Sequence, residues 1–298
     1  MLAGIRLISE PFAAPYMQRA LLAVLLLSVL AGVVGVVVHL RRLSFLTDAL
    51  THTVFPGVAI AFFTDNSVFA GALIAAVASA ALLTLVTRSA RVDDDAFLAL
   101  VLATFFSVGV VVVSRNESFT SDLNELLFGR LLTVTDRQLV ETALVTAAAL
   151  VPLVLLRKEI LLRAFNESAA VALGYPVWLL DLIQNVIVAL VVVAAVRAVG
   201  TALVVAFVIT PAAIARLLCS NVRTMVLVAV LTGAIGGWLG LAVSFDASVH
   251  HDVRLASAPT IVVVLTAMFA IVVVAQALRR VAVRRGLRRH AEHQGSPA

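Results

Sequence analysis

Apolar stretches long enough to cross a bilayer recur along almost the whole chain, and few folds survive that constraint. A spanning helix needs roughly 20 apolar residues, and such stretches cover residues 20–38, 44–63, 67–87, 96–114, 139–156, 179–196, 199–218, 224–245 and 258–278. In lipid the backbone has no water to bond, so each stretch must satisfy its own N–H and C=O groups as a helix. The expectation is an all-α polytopic membrane protein with about nine transmembrane helices. The first and sixth boundaries are the least sharply drawn, and eight spans fit as well. Hydrophobic residues make up 62% of the 298 and charged residues 13%, against about a half and a quarter in a soluble domain. Residues 1–278 then form one transmembrane domain, and 279–298 a basic cytoplasmic tail expected to be disordered.

Arginine placement orients the chain. With the C-terminus in the cytoplasm, Arg41, Arg42, Arg88, Arg91, Arg157, Lys158, Arg163, Arg216, Arg223 and the six arginines from Arg279 to Arg289 lie inside, 15 of the 22 basic residues. The N-terminus is then outside. A sequence pI near 10.5 could point to nucleic acid, but the net charge is only +5 and the basic excess flanks spans, as membrane topology demands. The opening residues are too polar and too proline-broken for a cleavable signal, so the first long apolar run reads as an anchor. The single cysteine, Cys219, excludes an intrachain disulfide and a cysteine-based metal cluster.

One span carries chemistry. Asp48 and His52 lie four residues apart in an apolar run, hence on one helix face about a turn apart, and Pro56-Gly57 interrupts the helix just beyond them. Counted from Arg42, helical rise places Asp48 roughly 9 Å and His52 roughly 15 Å into the bilayer. An ionisable pair at that depth is costly and reads first as functional. A hydrogen-bonded pair that fastens helices together would use the same residues. As ligands, a carboxylate and an imidazole suit a divalent cation, but two are too few for a site. A two-fold dimer would double them to four, enough for Zn²⁺ as they stand or Mn²⁺ with added waters. The ion is then substrate, and no tightly bound cofactor is expected.

The string from Ser44 to Ala61, SFLTDALTHTVFPGVAIA, preceded by Leu40-Arg41-Arg42, resembles the signature of the ABC-3 permeases of ABC-type zinc, manganese and iron importers. Further matches are Leu127-Phe128-Gly129 with Leu131-Leu132 and Asp136; Phe165, Ala169, Ala172, Leu173, Gly174 and Pro176; Gly200 with Val204–Arg216; and Pro259–Val263. The resemblance covers residues 17 to 275. It implies a permease fold like that of the vitamin B12 importers (type II ABC importers), working with a second permease copy or homologue, cytoplasmic ATP-binding subunits and an external metal-binding protein in the cell membrane. It also implies that Asp48 and His52 match the family's metal-coordinating pair. Thr47, Thr51 and Thr53 stand where the family more often has Gly, Ser and a small residue, and the loop before Pro259 is longer and lacks a common glycine. These departures bear on which metal is carried.

Energy must reach this chain from outside, because it has no G-x-x-x-x-G-K-[ST] phosphate loop. It is expected to be a transport subunit and no enzyme. A short cytoplasmic helix that Asn166 caps and Gly174 ends offers Phe165, Ala169, Ala170, Leu173 and Gly174 to an ATPase groove; an interfacial helix lying on lipid is the alternative. Thr210-Pro211 is read as a second helix break and a path candidate, with a simple packing kink as the alternative. His250, His251 and Asp252 could receive a metal outside, or form an ordinary solvated loop. Asp181, Gln184 and Asn185 are expected to make interhelical hydrogen bonds. Gly233, Gly236, Gly237 and Gly240 mark an interior or subunit-contact helix. A self-contained, gradient-driven carrier or channel is the rival function, and would show more buried charge along its path.

Overall fold

The computed structural model describes residues 10–41, 43–64, 67–89, 94–114, 131–251, 253 and 255–294. Among these the chain is helical almost throughout, as the apolar runs require. Twelve α-helices follow in order: α1 Pro15–Leu40, α2 Ser44–Thr53, α3 Phe55–Phe63, α4 Val68–Ser89, α5 Asp94–Val113, α6 Asp136–Leu155, α7 Arg157–Phe165, α8 Glu167–Ala172, α9 Val177–Val199, α10 Thr201–Leu218, α11 Val222–His250 and α12 Ser257–Gln294. Among the described residues, six segments are long and apolar enough to cross a membrane: Pro15–Leu40, Val68–Leu85, Asp136–Leu155, Val177–Val196, Val222–His250 and Ser257–Val281. Phe45–Ala61, Leu98–Val112 and Leu203–Leu218 are shorter apolar segments. Each stretch expected from the sequence is therefore occupied by helix.

Local chemistry sets several helix ends. Pro15 opens α1 in the first turn, where its missing N–H has no intrahelical role. Thr135 and Gln138 cap α6 reciprocally, satisfying two orphan donors. Gly200 separates α9 from α10 at φ 78°, a left-handed conformation that glycine adopts without strain. Three boundaries differ from expectation. α2 ends at Thr53 and α3 begins at Phe55, so the break falls at Val54 and Pro56 sits in the first turn of α3. α10 runs unbroken through Thr210-Pro211. Pro211 removes a single backbone donor, which a helix packed on several neighbours tolerates with at most a kink. α12 continues to Gln294, so the segment taken as a disordered tail is helical to that point. Leu127-Phe128-Gly129, Arg42 and Arg91 lie outside the described residues.

Small residues govern how the helices meet. In a bilayer apolar side chains gain nothing by leaving lipid, so close backbone approach carries the packing. α11 lies between α1 and α12 and touches α10 as well. A Cβ on Gly240 would stand 2.6 Å from the Ile261 Cα of α12, and one on Gly32 of α1 would stand 2.9 Å from the Val230 backbone nitrogen. The glycines of α11 thus serve contacts within the chain. α3 and α4 cross where Gly57 and Gly71 face each other: a Cβ on Gly71 would lie 2.6 Å from the Gly57 carbonyl oxygen. α9 packs on α4 and α6, and α2 on α5, α9 and α10. These contacts hold the ionisable pair of α2.

Candidate functional site

His52 Nε2 stands 3.8 Å from Asp48 Oδ1, beyond hydrogen-bond length. The two side chains are not locked to each other by a hydrogen bond. Both keep part of their surface open, 28% for His52 and 36% for Asp48. Two donors each about 2 Å from one ion can stand up to about 4 Å apart, so the spacing admits a shared divalent cation. Among the described residues no third His, Cys, Asp or Glu completes a metal-holding group. Pro56 lacks the N–H that would meet the His52 carbonyl, which loosens the helix one turn past the imidazole.

An aromatic ring lies against His52, and three threonines share its helix. Phe106 of α5 meets the His52 ring edge-on, with centroids 5.5 Å apart at 90°, and stacks on Phe55 at 5.8 Å. Gly109 lets the Phe55 ring lie against α5, since a Cβ there would strike it. Thr51 Oγ1 donates to the Thr47 carbonyl at 2.8 Å and Thr53 Oγ1 to the Leu50 carbonyl at 3.0 Å, so both hydroxyls turn back into α2. Thr47 Oγ1 is buried without a hydrogen-bond partner among the described residues. Sequence reasoning missed Phe106 and Gly109, because FFSVGV reads like any lipid-facing run.

A second group of charges centres on Asp181, the one member expected from the sequence to bond across helices. Asp181, in the first turns of α9, receives Arg41 Nη2 at 2.6 Å and the Arg163 fork at 3.2 and 3.1 Å. Arg163 Nη1 reaches on to Glu167 of α8 at 2.8 Å, and Arg41 Nη1 donates to Gln184 Oε1 at 2.7 Å. Asn185 Nδ2 donates to Thr84 Oγ1 at 2.9 Å. Asp181, Gln184 and Asn185 therefore make the interhelical bonds expected of them. Burial lowers the Arg41 pKa from its usual range, and the charge of Asp181 works against that while Arg163 adds to it. The readable signal was Arg163 and Glu167 at i, i+4; the link to Arg41 spans distant sequence.

α8 forms where expected. Asn166 Oδ1 accepts the Ala169 N–H at 2.9 Å, and Gly174, at φ 79°, ends it with its N–H on the Val171 carbonyl at 2.9 Å. Phe165 and Leu173 are 65% and 68% exposed, free for a partner. Ala170 corrects the expectation: it is fully buried, because its side of α8 faces the chain's own core, and it cannot enter a partner's groove. Ala169 is half-buried. Thr210 is half-buried and Pro211 buried within α10. His250 Nδ1 lies 3.2 Å from Asp246 Oδ1 and His251 Nδ1 3.9 Å from Asp246 Oδ2, so the last turns of α11 bring both histidines to a carboxylate the sequence reading had passed over. Asp252 lies outside the described residues.

Residues 13–276 match the sequence profile of the ABC 3 transport family. The chain belongs to that family. Among its relatives is the manganese transport system membrane protein MntC of Halalkalibacterium halodurans, 34% identical over 86% of each chain. The chelated iron transport system membrane protein YfeD of Yersinia pestis is 31% identical over 90% of this chain and 88% of its own length. Among solved structures, PsaBC from Streptococcus pneumoniae, determined in complex with Fab, superposes with a TM-score of 0.78 at 30% identity, covering 91% of this chain and 95% of the other. Membership in the ABC 3 family makes the chain a multi-pass ABC-transporter permease, in agreement with its all-helical fold.

Proposed function

We propose that the chain is the membrane permease of an ATP-driven importer for a divalent transition metal, with Mn²⁺ the first candidate cargo. The carrying observation is a carboxylate and an imidazole 3.8 Å apart and partly open on a helix interrupted just beyond them, in a chain whose relatives include manganese and chelated-iron transport proteins. Oxygen and nitrogen donors without thiolate suit a cation that must be released as well as bound. Zn²⁺ and Fe²⁺ tolerate the same donors.

In this reading all six long and three shorter apolar helices cross the bilayer in a vitamin-B12-importer-like arrangement, with the N-terminus outside and the C-terminus in the cytoplasm. A second permease copy or homologue brings another Asp48–His52 pair to a shared path, an external binding protein delivers the ion, and cytoplasmic ATPases act on the exposed Phe165 and Leu173. Alternating access requires that the two states differ in exposure and affinity at the pair.

Radioactive manganese uptake into proteoliposomes holding the permease and its ATPase, supplied with the external binding protein, tests the site. Asp48→Ala and His52→Ala are each expected to reduce uptake at least about tenfold, as losing a metal ligand should exceed losing a ligand's outer partner. Wild-type rates in both variants would remove the site. Uptake that proceeds without the ATPase would point instead to the gradient-driven carrier.

A further inference from the structure

Asp181 and the three charges linked to it, Arg41, Arg163 and Glu167, join parts of the chain that the proposed function must keep in step. Arg41 follows the last residue of α1, two residues before Leu43 and the start of α2, the helix with Asp48 and His52. Arg163 lies in the last turn of α7 and Glu167 in the first turn of α8, beside exposed Phe165 and Leu173. Asp181 binds both arginines at once, taking Arg163 through two parallel N–H bonds, the geometry that fixes direction as well as distance. Three of the four side chains are largely enclosed, 10% exposed for Arg41, 15% for Arg163 and 22% for Asp181, while Glu167 is exposed.

The surroundings leave room for movement. Arg41, Arg163, Glu167 and Asp181 line a cavity of 660 Å³ together with Leu43 and Leu46 of the α2 end and Val171 and Tyr175 of the α8 end. The two ends are therefore not pressed together as a rigid core is, and the ion pairs run along the cavity wall between them. Gln184, whose oxygen takes Arg41, has its amide nitrogen buried without an acceptor among the described residues. A buried unmet donor in a charged network marks this arrangement as incomplete. The charges balance, with two cations against two carboxylates, so the cavity has no excess sign to attract an ionic ligand.

We propose that Asp181 is a positioning residue that ties the Arg163–Leu173 segment to the α1–α2 elbow, so that displacement of that segment by a nucleotide-binding partner is delivered to the helix holding Asp48 and His52. This rests on the reading that a partner ATPase grips Phe165 and Leu173. It adds the path by which that grip is felt 7 and 11 residues beyond Arg41. One carboxylate shared by two guanidinium groups cannot let one move without changing its hold on the other.

The test uses the assembled permease–ATPase complex in proteoliposomes, with Cys219→Ala removing the native thiol and Leu43→Cys placing a reporter in the cavity. The readout is the rate of maleimide labelling with and without bound ATP. ATP is expected to change that rate at least threefold. Asp181→Asn should abolish the change while leaving assembly and basal ATP hydrolysis in place, and Asp181→Glu should restore it. Arg163→Lys, which keeps charge but loses the fork, should weaken it. An ATP response in Asp181→Asn equal to that of the parent overturns the proposal, as does equal loss in the Asn and Glu variants, which would make shape and not charge the cause. Loss of assembly in both Asp181→Asn and Arg163→Lys would make the network a mere support of the fold and also overturn it. Labelling needs no metal, so failure of the parent to take up any divalent cation would refute the cargo while leaving this readout intact.

Discussion

Asp48 and His52 owe their mutual position to one helical turn, which is why the sequence alone could place them together. Their neighbours were not readable in the same way. Phe106 comes from α5, more than 50 residues later, and looks like any apolar residue until the helices are packed. Thr47 shows how residue identity and burial can disagree. Its hydroxyl is buried with no partner among the described residues, and such a group costs about 1–3 kcal/mol. Thr47→Val keeps the shape and removes the hydroxyl. The purified protein should gain about 1 kcal/mol, seen as a higher midpoint in a thermal unfolding scan; a fall in the midpoint would mean the hydroxyl has a partner after all.

At the scale of the element, the capping residues were the most legible signals and prolines the most misleading. Asn166 and Gly174 bound α8 as their chemistry requires. Pro211 looked like a break, and the helix passes through it because losing one donor is tolerable inside a packed bundle. α7 was missed although Ile160, Leu161 and Ala164 recur at helical spacing, because Arg157, Lys158 and Glu159 made the segment look like a polar connection. Gly174 yields a clean prediction. A Cβ there meets nothing within 4 Å, so Gly174→Ala costs only backbone strain at φ 79°, about 1 kcal/mol. Amide hydrogen exchange in α8 should speed up about fivefold with exchange elsewhere unchanged. No change would show that the segment relaxes freely.

For the molecule as a whole, recurrence of apolar stretches revealed the fold class, and arginine placement gave an orientation that can be checked directly. With Cys219→Ala as background, a thiol at His250→Cys should react with an impermeant maleimide added to intact cells, and one at Leu173→Cys only after the membrane is opened. The opposite pattern would invert the topology. What sequence could not supply was the set of long-range contacts, since pairings such as Arg41 with Gln184, 143 residues apart, carry no local mark. The facing glycines of α3 and α4 have a consequence at this same scale. Where two main chains touch with no side chain between them, neither position can be altered and then rescued by shrinking the other, because nothing smaller remains to substitute. In a saturation library selected for growth on scarce metal, codons 57 and 71 should therefore stay invariant while exposed positions such as Leu227 and Val263 drift through most apolar alternatives.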